Sequence, residues 1–321
     1  MHLPHLLLDI ESQYILVEIL IPALDTATRK RMEVSLSRMW DTHIHCLDPA
    51  RHPFKSTRTY TPPPAPLEAL AAQIKADRLV LVQASIERGH HGLMDHLHRI
   101  RTEFPHLLAR GIMCMDQNWT TLSNQDIDEL HGLGVRYVRI HGFLGESVPK
   151  SSSLEEQFRL FSRSYAAQRW GWGLSAQLSL ATWALLSEFI VHDTEVSRIR
   201  IIADHVACCS PKDINTPQFR AFLGLLQTGR VYVKVSCLYR RSPDDIRKMK
   251  PIIQSLADTA SDALLWGSDW PHVDSSKRSY DSRVASKRRD IGKELEVLRS
   301  WLSEDQWGKM LCRNPEKLFA E

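Results

Sequence analysis

From residue 40 onward the chain alternates two patterns of apolar positions: short runs of β-branched or apolar residues, and longer segments in which apolar positions recur every three to four residues. The first pattern suits strands and the second suits helices. Strands are expected at 40–45, 78–83, 109–115, 135–140, 173–178, 200–204, 231–235 and 263–267. Helices are expected between them at 93–104, 123–133, 154–169, 182–191, 216–228 and 244–260, and after the last strand at 286–302 and 305–311. Strand and helix alternating without a break calls for parallel pairing through right-handed crossovers, and eight such units close on themselves.

The expected fold is therefore α/β, a single (β/α)8 TIM barrel spanning 40–321 with a short N-terminal extension at 1–39. The extension reads as an amphipathic appendage or as the product of an upstream start, with Met32 and Met39 as alternative starts. A proline-rich stretch at 62–66 stiffens the connection between the first two strands, over the expected barrel mouth.

Composition narrows the partners. With 43% hydrophobic and 25% charged residues the chain matches globular proteins. A net charge of +3 is too small for this length to imply a nucleic-acid partner, and the basic cluster at 275–290 reads as a solvated loop and helix start. The 6 cysteines contain no C-x-x-C pair, which favours reduced thiols. Asp9, Glu11 and Glu18 interrupt the apolar N-terminal run, so neither a membrane span nor a secretory leader is expected, and the protein is read as cytoplasmic with oligomeric state undetermined.

In this fold the chemistry gathers where strands end, and the ends are polar here. Asp41-Thr42-His43-Ile44-His45 closes the first strand, and its alternation turns His43 and His45 to one face. Such a pair suits a metal ion or two hydrogen bonds to one substrate oxygen. The second strand ends in Gln83 and Ser85, the fourth carries Arg139 then His141, and the fifth closes on Gln177. Asp204 and His205 follow the sixth strand, Ser236, Tyr239 and Arg240 the seventh, and Ser268, Asp269, Trp270 and His272 the eighth. Asp269 is the leading candidate for a general base, since barrel closure brings the eighth strand beside the first. Arg139 and Arg240 are candidate carboxylate anchors, because a guanidinium presents a planar donor fork, and an arginine inside an apolar strand must point at something polar. Tyr60 and Tyr239 offer hydroxyl donors, and Ser85 and His272 complete the expected substrate-binding group. His90, His91, His96 and His98 are set aside as one exposed helix face, and Trp170, Trp172 and Trp183 as packing between helix and barrel.

Four segments, WDTHIHCLDP with HPF and RTYTP downstream, the Asp-His of IIADHVA, VYVKVSCLYR, and LLWGSDWPH, with NPEKLF at the end, run in order from Trp40 to Phe319. Together they resemble the amidohydrolase superfamily, in its amidohydrolase-related group that includes 2-pyrone-4,6-dicarboxylate lactonase. The resemblance implies hydrolysis of a lactone or similar cyclic ester of a small carboxylated substrate. Asp269 would activate water, and His43, His45 and His205 would polarise the carbonyl. Metal-dependent members add a lysine or glutamate on the fourth strand and a histidine on the fifth, whereas here Gln177 stands on the fifth and no such residue ends the fourth. The expectation is therefore that no cofactor is required, with His43, His45 and Asp269 the ligands if a zinc ion is held. Two alternatives stand beside the small anionic lactone: a zinc-dependent decarboxylase of an aromatic or unsaturated acid, and a catalytically idle binding barrel.

Overall fold

The computed structural model describes residues 38–74, 76–116, 119–141, 153–273 and 289–320. The expected extension, except residues 38 and 39, and the basic segment 275–290, except Arg289 and Asp290, lie outside the described residues.

Eight strands form one parallel sheet in sequence order: β1 (Trp40–Ile44), β2 (Arg78–Val82), β3 (Leu108–Cys114), β4 (Val135–His141), β5 (Gly173–Gln177), β6 (Ile201–Ala203), β7 (Val231–Val235) and β8 (Leu264–Trp266). Helices α1 (Leu67–Ala71), α2 (His91–Glu103), α3 (Asn124–Leu133), α4 (Leu154–Ser162), α5 (Tyr165–Trp170), α6 (Leu180–His192), α7 (Pro217–Gln227), α8 (Leu238–Arg241) and α9 (Lys250–Ala260) lie between strands. After β8 come α10 (Ile291–Arg299), α11 (Glu304–Gly308) and α12 (Asn314–Phe319). The eight expected strands are all present, so the TIM barrel stands as read.

Local chemistry sets the helix starts. Ser123 accepts the Asp126 N–H at 3.2 Å while Asp126 Oδ2 accepts the Ser123 N–H at 2.8 Å, a reciprocal cap for α3. Ser179 and Thr216 cap α6 and α7 in the same sense, each contributing about 1 kcal/mol. Where one helix was expected over 154–169 there are two, because Ser164 takes the Ala167 N–H and starts α5 afresh. The helix expected at 305–311 continues through a wider π turn at Lys309–Arg313 into α12. The exposed face expected for the four α2 histidines is corrected at His96: it is buried, its ring 5.7 Å from that of His52, while His91 and His98 face solvent. The cause is position, since His96 shares the inward stripe with Leu93, Leu97 and Ile100. Trp172 and Trp183 are buried, as their packing role requires, and Trp170 stacks on His131.

Two features position the mouth. At the N-terminal end of the strands α12 forms the floor, with Phe319 against the rings of Trp40 and Tyr137, and Arg110 donating to the carbonyls of Phe319 and Ala320. At the other end the barrel closes through the β8 continuation: the Asp269 N–H donates to the His43 carbonyl and the His45 N–H to the Trp270 carbonyl, both at 2.9 Å. The seam between first and last strands thus runs through the residues singled out for chemistry.

Candidate active site

Alternation along β1 turns Asp41, His43 and His45 into the barrel, one above the other. Asp41 ties the seam: its Oδ1 accepts the Ser268 N–H at 2.9 Å and the His43 N–H at 3.2 Å. Burial raises this carboxyl to about 6 against the pull of those donors. Gly267 permits the close approach, because a Cβ there would stand 2.6 Å from the His43 Cβ.

Above this seam four atoms converge. His43 Nε2 lies 3.3 Å from His45 Nε2 and 3.8 Å from Asp269 Oδ1. His45 Nε2 and His205 Nε2 each lie 3.9 Å from the same oxygen. Asp269 Oδ1 is buried and accepts no hydrogen bond among the described residues. Its other oxygen is saturated: the Tyr239 hydroxyl donates to Oδ2 at 2.8 Å, and the Arg240 guanidinium forms a short ion pair with it. One carboxylate oxygen is therefore anchored and the other aimed at three imidazoles.

The rings are held from behind. His45 Nδ1 donates to the Val82 carbonyl at 2.6 Å, which leaves Nε2 as a lone pair. His205 Nδ1 pairs with Ser236 Oγ at 2.9 Å. His43 Nδ1 faces Lys234 Nζ at 3.2 Å. Burial disfavours charge on all of them, holding His45 down at about 4 and His43 and His205 well below the usual histidine range. They are neutral imidazoles at neutral pH. Burial works the other way on Asp269, but Arg240, then His205 and His45, with the Tyr239 hydroxyl, outweigh it and hold the carboxyl below its usual range.

Beneath the histidines runs a charged layer across the barrel. Asp204, fully buried, accepts from Arg139 Nε at 2.8 Å, Ser175 Oγ at 3.0 Å and Lys234 Nζ at 3.2 Å. Burial opposes its ionisation, yet Lys234 and Arg139 keep it well below the ordinary aspartate range. Arg139 also donates to Gln177 Oε1 at 2.8 Å, so two arms of its fork are spent inside the layer.

The backbone here is unusual. His205, Val206, Ala207 and Cys208 form a left-handed turn with φ between 50° and 58°, and Asp269 and His272 sit at φ 61°. Left-handed backbone at residues with a Cβ costs about 1–2 kcal/mol each and collects at functional sites.

Of the expected residues, the structure brings together Asp269, His43, His45, His205, Tyr239, Arg240 and, one layer down, Arg139. His272 is buried edge-on to Tyr239 with its Nε2 lacking a hydrogen bond among the described residues. Ser85 is buried beyond β2, its carbonyl accepting from Lys55 Nζ, and Tyr60 sits half-buried in the connection from β1 to α1. Sequence reasoning missed Asp41, Lys234 and Glu294, a buried α10 carboxyl that burial raises to about 7 with Arg289, Asp269 and Asp41 as its charged neighbours. Asp41 shares the alternation that exposed His43 and His45, and Lys234 stands mid-strand as Arg139 does.

The donor set is compatible with a metal ion. His43, His205 and Asp269 offer ligand atoms all within 4.8 Å of one another, and a zinc ion bonded to each at about 2 Å would satisfy the orphaned Oδ1.

A family model described as amidohydrolase matches residues 40–320. The 4-sulfomuconolactone hydrolase of Hydrogenophaga intermedia is 24% identical over 293 residues, covering 88% of each chain. The 2-pyrone-4,6-dicarboxylate hydrolase of Comamonas testosteroni is 26% identical over 250 residues, 72% of this chain and 76% of that one. An apo crystal structure of an Agrobacterium tumefaciens protein shares the fold with a TM-score of 0.68 at 20% identity, covering 88% of this chain and 96% of that chain. No helix among the described residues is long and apolar enough to cross a membrane.

Proposed function

The chain belongs to the amidohydrolase family and is a hydrolase, and from that premise we propose that it opens a lactone or similar activated cyclic ester of a small anionic substrate. The observation that carries the reading is Asp269 Oδ1, buried without a hydrogen bond among the described residues and faced by the Nε2 atoms of His43, His45 and His205 at 3.8 to 3.9 Å. A water molecule between that oxygen and a carbonyl carbon would give its proton to Asp269 as its oxygen bonds to the carbon. Neutral imidazole N–H groups of His43 and His205 would meet the oxyanion, where fixed donors in a dry site count most, while His45 presents a lone pair. The ring C–O bond then breaks and the departing oxygen takes the proton back from Asp269, leaving a carboxylic acid and a hydroxyl.

The low proton affinity of Asp269 supports an activated ester over an amide. A carboxylate held below its usual range by Arg240 is a weak base, adequate for a reactive carbonyl with a stable leaving oxygen. The relatives named for a sulfonated muconolactone and a dicarboxylated pyrone point to the same substrate class. Positive charge for the substrate anion would come from Arg240 at the mouth, with Tyr239, His272, Ser85 and Tyr60 the proposed lining, while Arg139, held by Asp204 and Gln177 one layer down, would act only through the field of that layer. Should the site hold zinc, the expected His43, His45 and Asp269, with His205 on the same carboxylate oxygen, are the residues that would hold it, and the ion would supply Lewis-acid polarisation.

The test is a panel of carboxylated and sulfonated lactones and pyrones, with metal content measured on the same protein. Turnover is expected, and Asp269→Asn should lower kcat/KM by about 10³-fold with the fold intact. Unchanged turnover in that variant sinks the general base. Release of carbon dioxide from an aromatic acid, with zinc lost in His43→Ala, would make the protein a decarboxylase, and thermal stabilisation by ligands without turnover would make it a binding barrel.

A further inference from the structure

The lactonase reading leaves Lys234 without a task, although it is completely buried near the C-terminal end of β7, 3.2 Å from both His43 Nδ1 and Asp204 Oδ1. A buried ammonium is kept only where its protons are used. Asp204, held on its other side by Arg139 and Ser175, is its counter-ion. The remaining neighbour is an imidazole nitrogen. An ammonium has three N–H donors and no acceptor, so the nitrogen it faces must carry the lone pair. The competitor for that nitrogen is Asp204 Oδ1, an acceptor that would hold the proton on Nδ1, and at 3.6 Å it stands farther off than Lys234 Nζ at 3.2 Å.

From this we infer that Lys234 is a positioning residue that fixes His43 as the tautomer protonated on Nε2. The consequence runs up the barrel in one direction. Lys234 donates to His43 Nδ1, the His43 Nε2–H points at the lone pair of His45 Nε2 3.3 Å away, and His45 Nδ1–H donates to the Val82 carbonyl. Each donor meets an acceptor, and a substrate carbonyl that replaced His45 as the acceptor of the His43 Nε2–H would be polarised by it. The same proton occupies the position a metal would need, since a histidine ligates through a lone pair. Lys234 therefore favours His43 as a hydrogen-bond donor and weakens it as a ligand.

The inference rests on the reading of this mouth as the active site, but its test does not require turnover, so its failure and the failure of the lactonase reading are separable. Nitrogen-15 histidine spectra of the metal-free protein, with His43 assigned by its loss in His43→Gln, should show Nε2 protonated and Nδ1 bare. Lys234→Met removes the donor and leaves Asp204 Oδ1 as the acceptor beside Nδ1, so the proton should move to Nδ1. Lys234→Gln keeps a donor without the charge and should keep the wild-type tautomer. Zinc titration gives the second readout: Lys234→Met should bind about tenfold or more tightly than wild type, and Lys234→Gln less tightly than Lys234→Met. A wild-type His43 protonated on Nδ1, a Lys234→Met spectrum with no tautomer change, or equal zinc gains in both variants, the mark of charge repulsion alone, would overturn the inference. If Lys234→Met does not fold, the wild-type spectrum decides.

Discussion

At the scale of single residues, the candidate site depends on one carboxylate being divided between two jobs. Arg240 and Tyr239 hold Asp269 Oδ2, which fixes the side chain and lowers its proton affinity, while Oδ1 faces the mouth. Base catalysis needs the ionised form, present above the carboxyl's folded pKa and lost as pH falls through it. Because Arg240 is the strongest influence lowering that value, Arg240→Met should move the acid limb of kcat upward by about one pH unit or more, in addition to any loss of substrate affinity. A pH profile whose acid limb stays in place would separate Arg240 from Asp269. Much of this constellation was legible: strand alternation paired His43 with His45, and barrel closure set Asp269 beside them. Lys234 was not, although the reasoning applied to Arg139, that a cation inside an apolar strand must face something polar, holds equally for Lys234 in VYVKV. What sequence could not supply was the partner of each group. Arg139 reads as a substrate anchor from its chemistry alone, yet Asp204 and Gln177, 65 and 38 residues away, take two of its donors.

At the scale of elements, the strands and most helices follow from periodicity and caps, while the turns that aim the proposed catalytic groups do not. The left-handed turn at His205–Cys208 carries no glycine, and nothing in IIADHVACC announces a positive φ. Such a turn is imposed by its surroundings: Val206, Ala207 and Cys209 are buried, and the Cys209 N–H closes on the Val206 carbonyl at 2.9 Å. The junction of β8 with β1 is more readable, because Gly267 lies just before Ser268-Asp269 where a bulkier residue would collide with His43. Gly267→Ala places a methyl 2.6 Å from the His43 Cβ and 2.9 Å from its backbone nitrogen, contacts that no side-chain rotation relieves. Prising the two strands apart should cost about 1–3 kcal/mol in urea unfolding and lower kcat more than it raises KM, since His43 and Asp269 shift relative to each other. An alanine variant with wild-type stability and kcat would show that this seam is not under the constraint its geometry implies.

At the scale of the whole molecule, the barrel buries two classes of titratable group whose effects on stability oppose each other. His45, His96 and His272 are pushed down to about 4 and His141 to about 3, burial being the main cause in each. Such groups stay neutral in the folded chain while the unfolded chain takes up protons below about pH 6.5, so their contribution is complete above that value and is lost as pH falls. Glu87, Glu294 and Asp41 are raised by burial to about 8, 7 and 6. These stay protonated in the folded chain at pH values where the unfolded chain has released its protons, so their contribution is present at low pH and lost as pH rises to the folded values. Each group gives a slope of up to about 1.4 kcal/mol per pH unit while it titrates in only one of the two states. Between about pH 4.5 and 6 the histidines outweigh the acids, the more so because His43 and His205 shift in the same direction. Above about pH 7 the histidines are silent in both states, and of the three raised acids only Glu87 continues to titrate over its full slope. Stability should therefore peak near pH 6.5, fall steeply on the acid side and gently toward pH 8. Urea midpoints measured in half-unit steps from pH 4.5 to 8.5 check this shape. A midpoint that climbs as pH drops from 6 to 5 would mean that the buried imidazoles are charged in the folded protein, and with that the neutral donors on which the proposed chemistry depends would be gone.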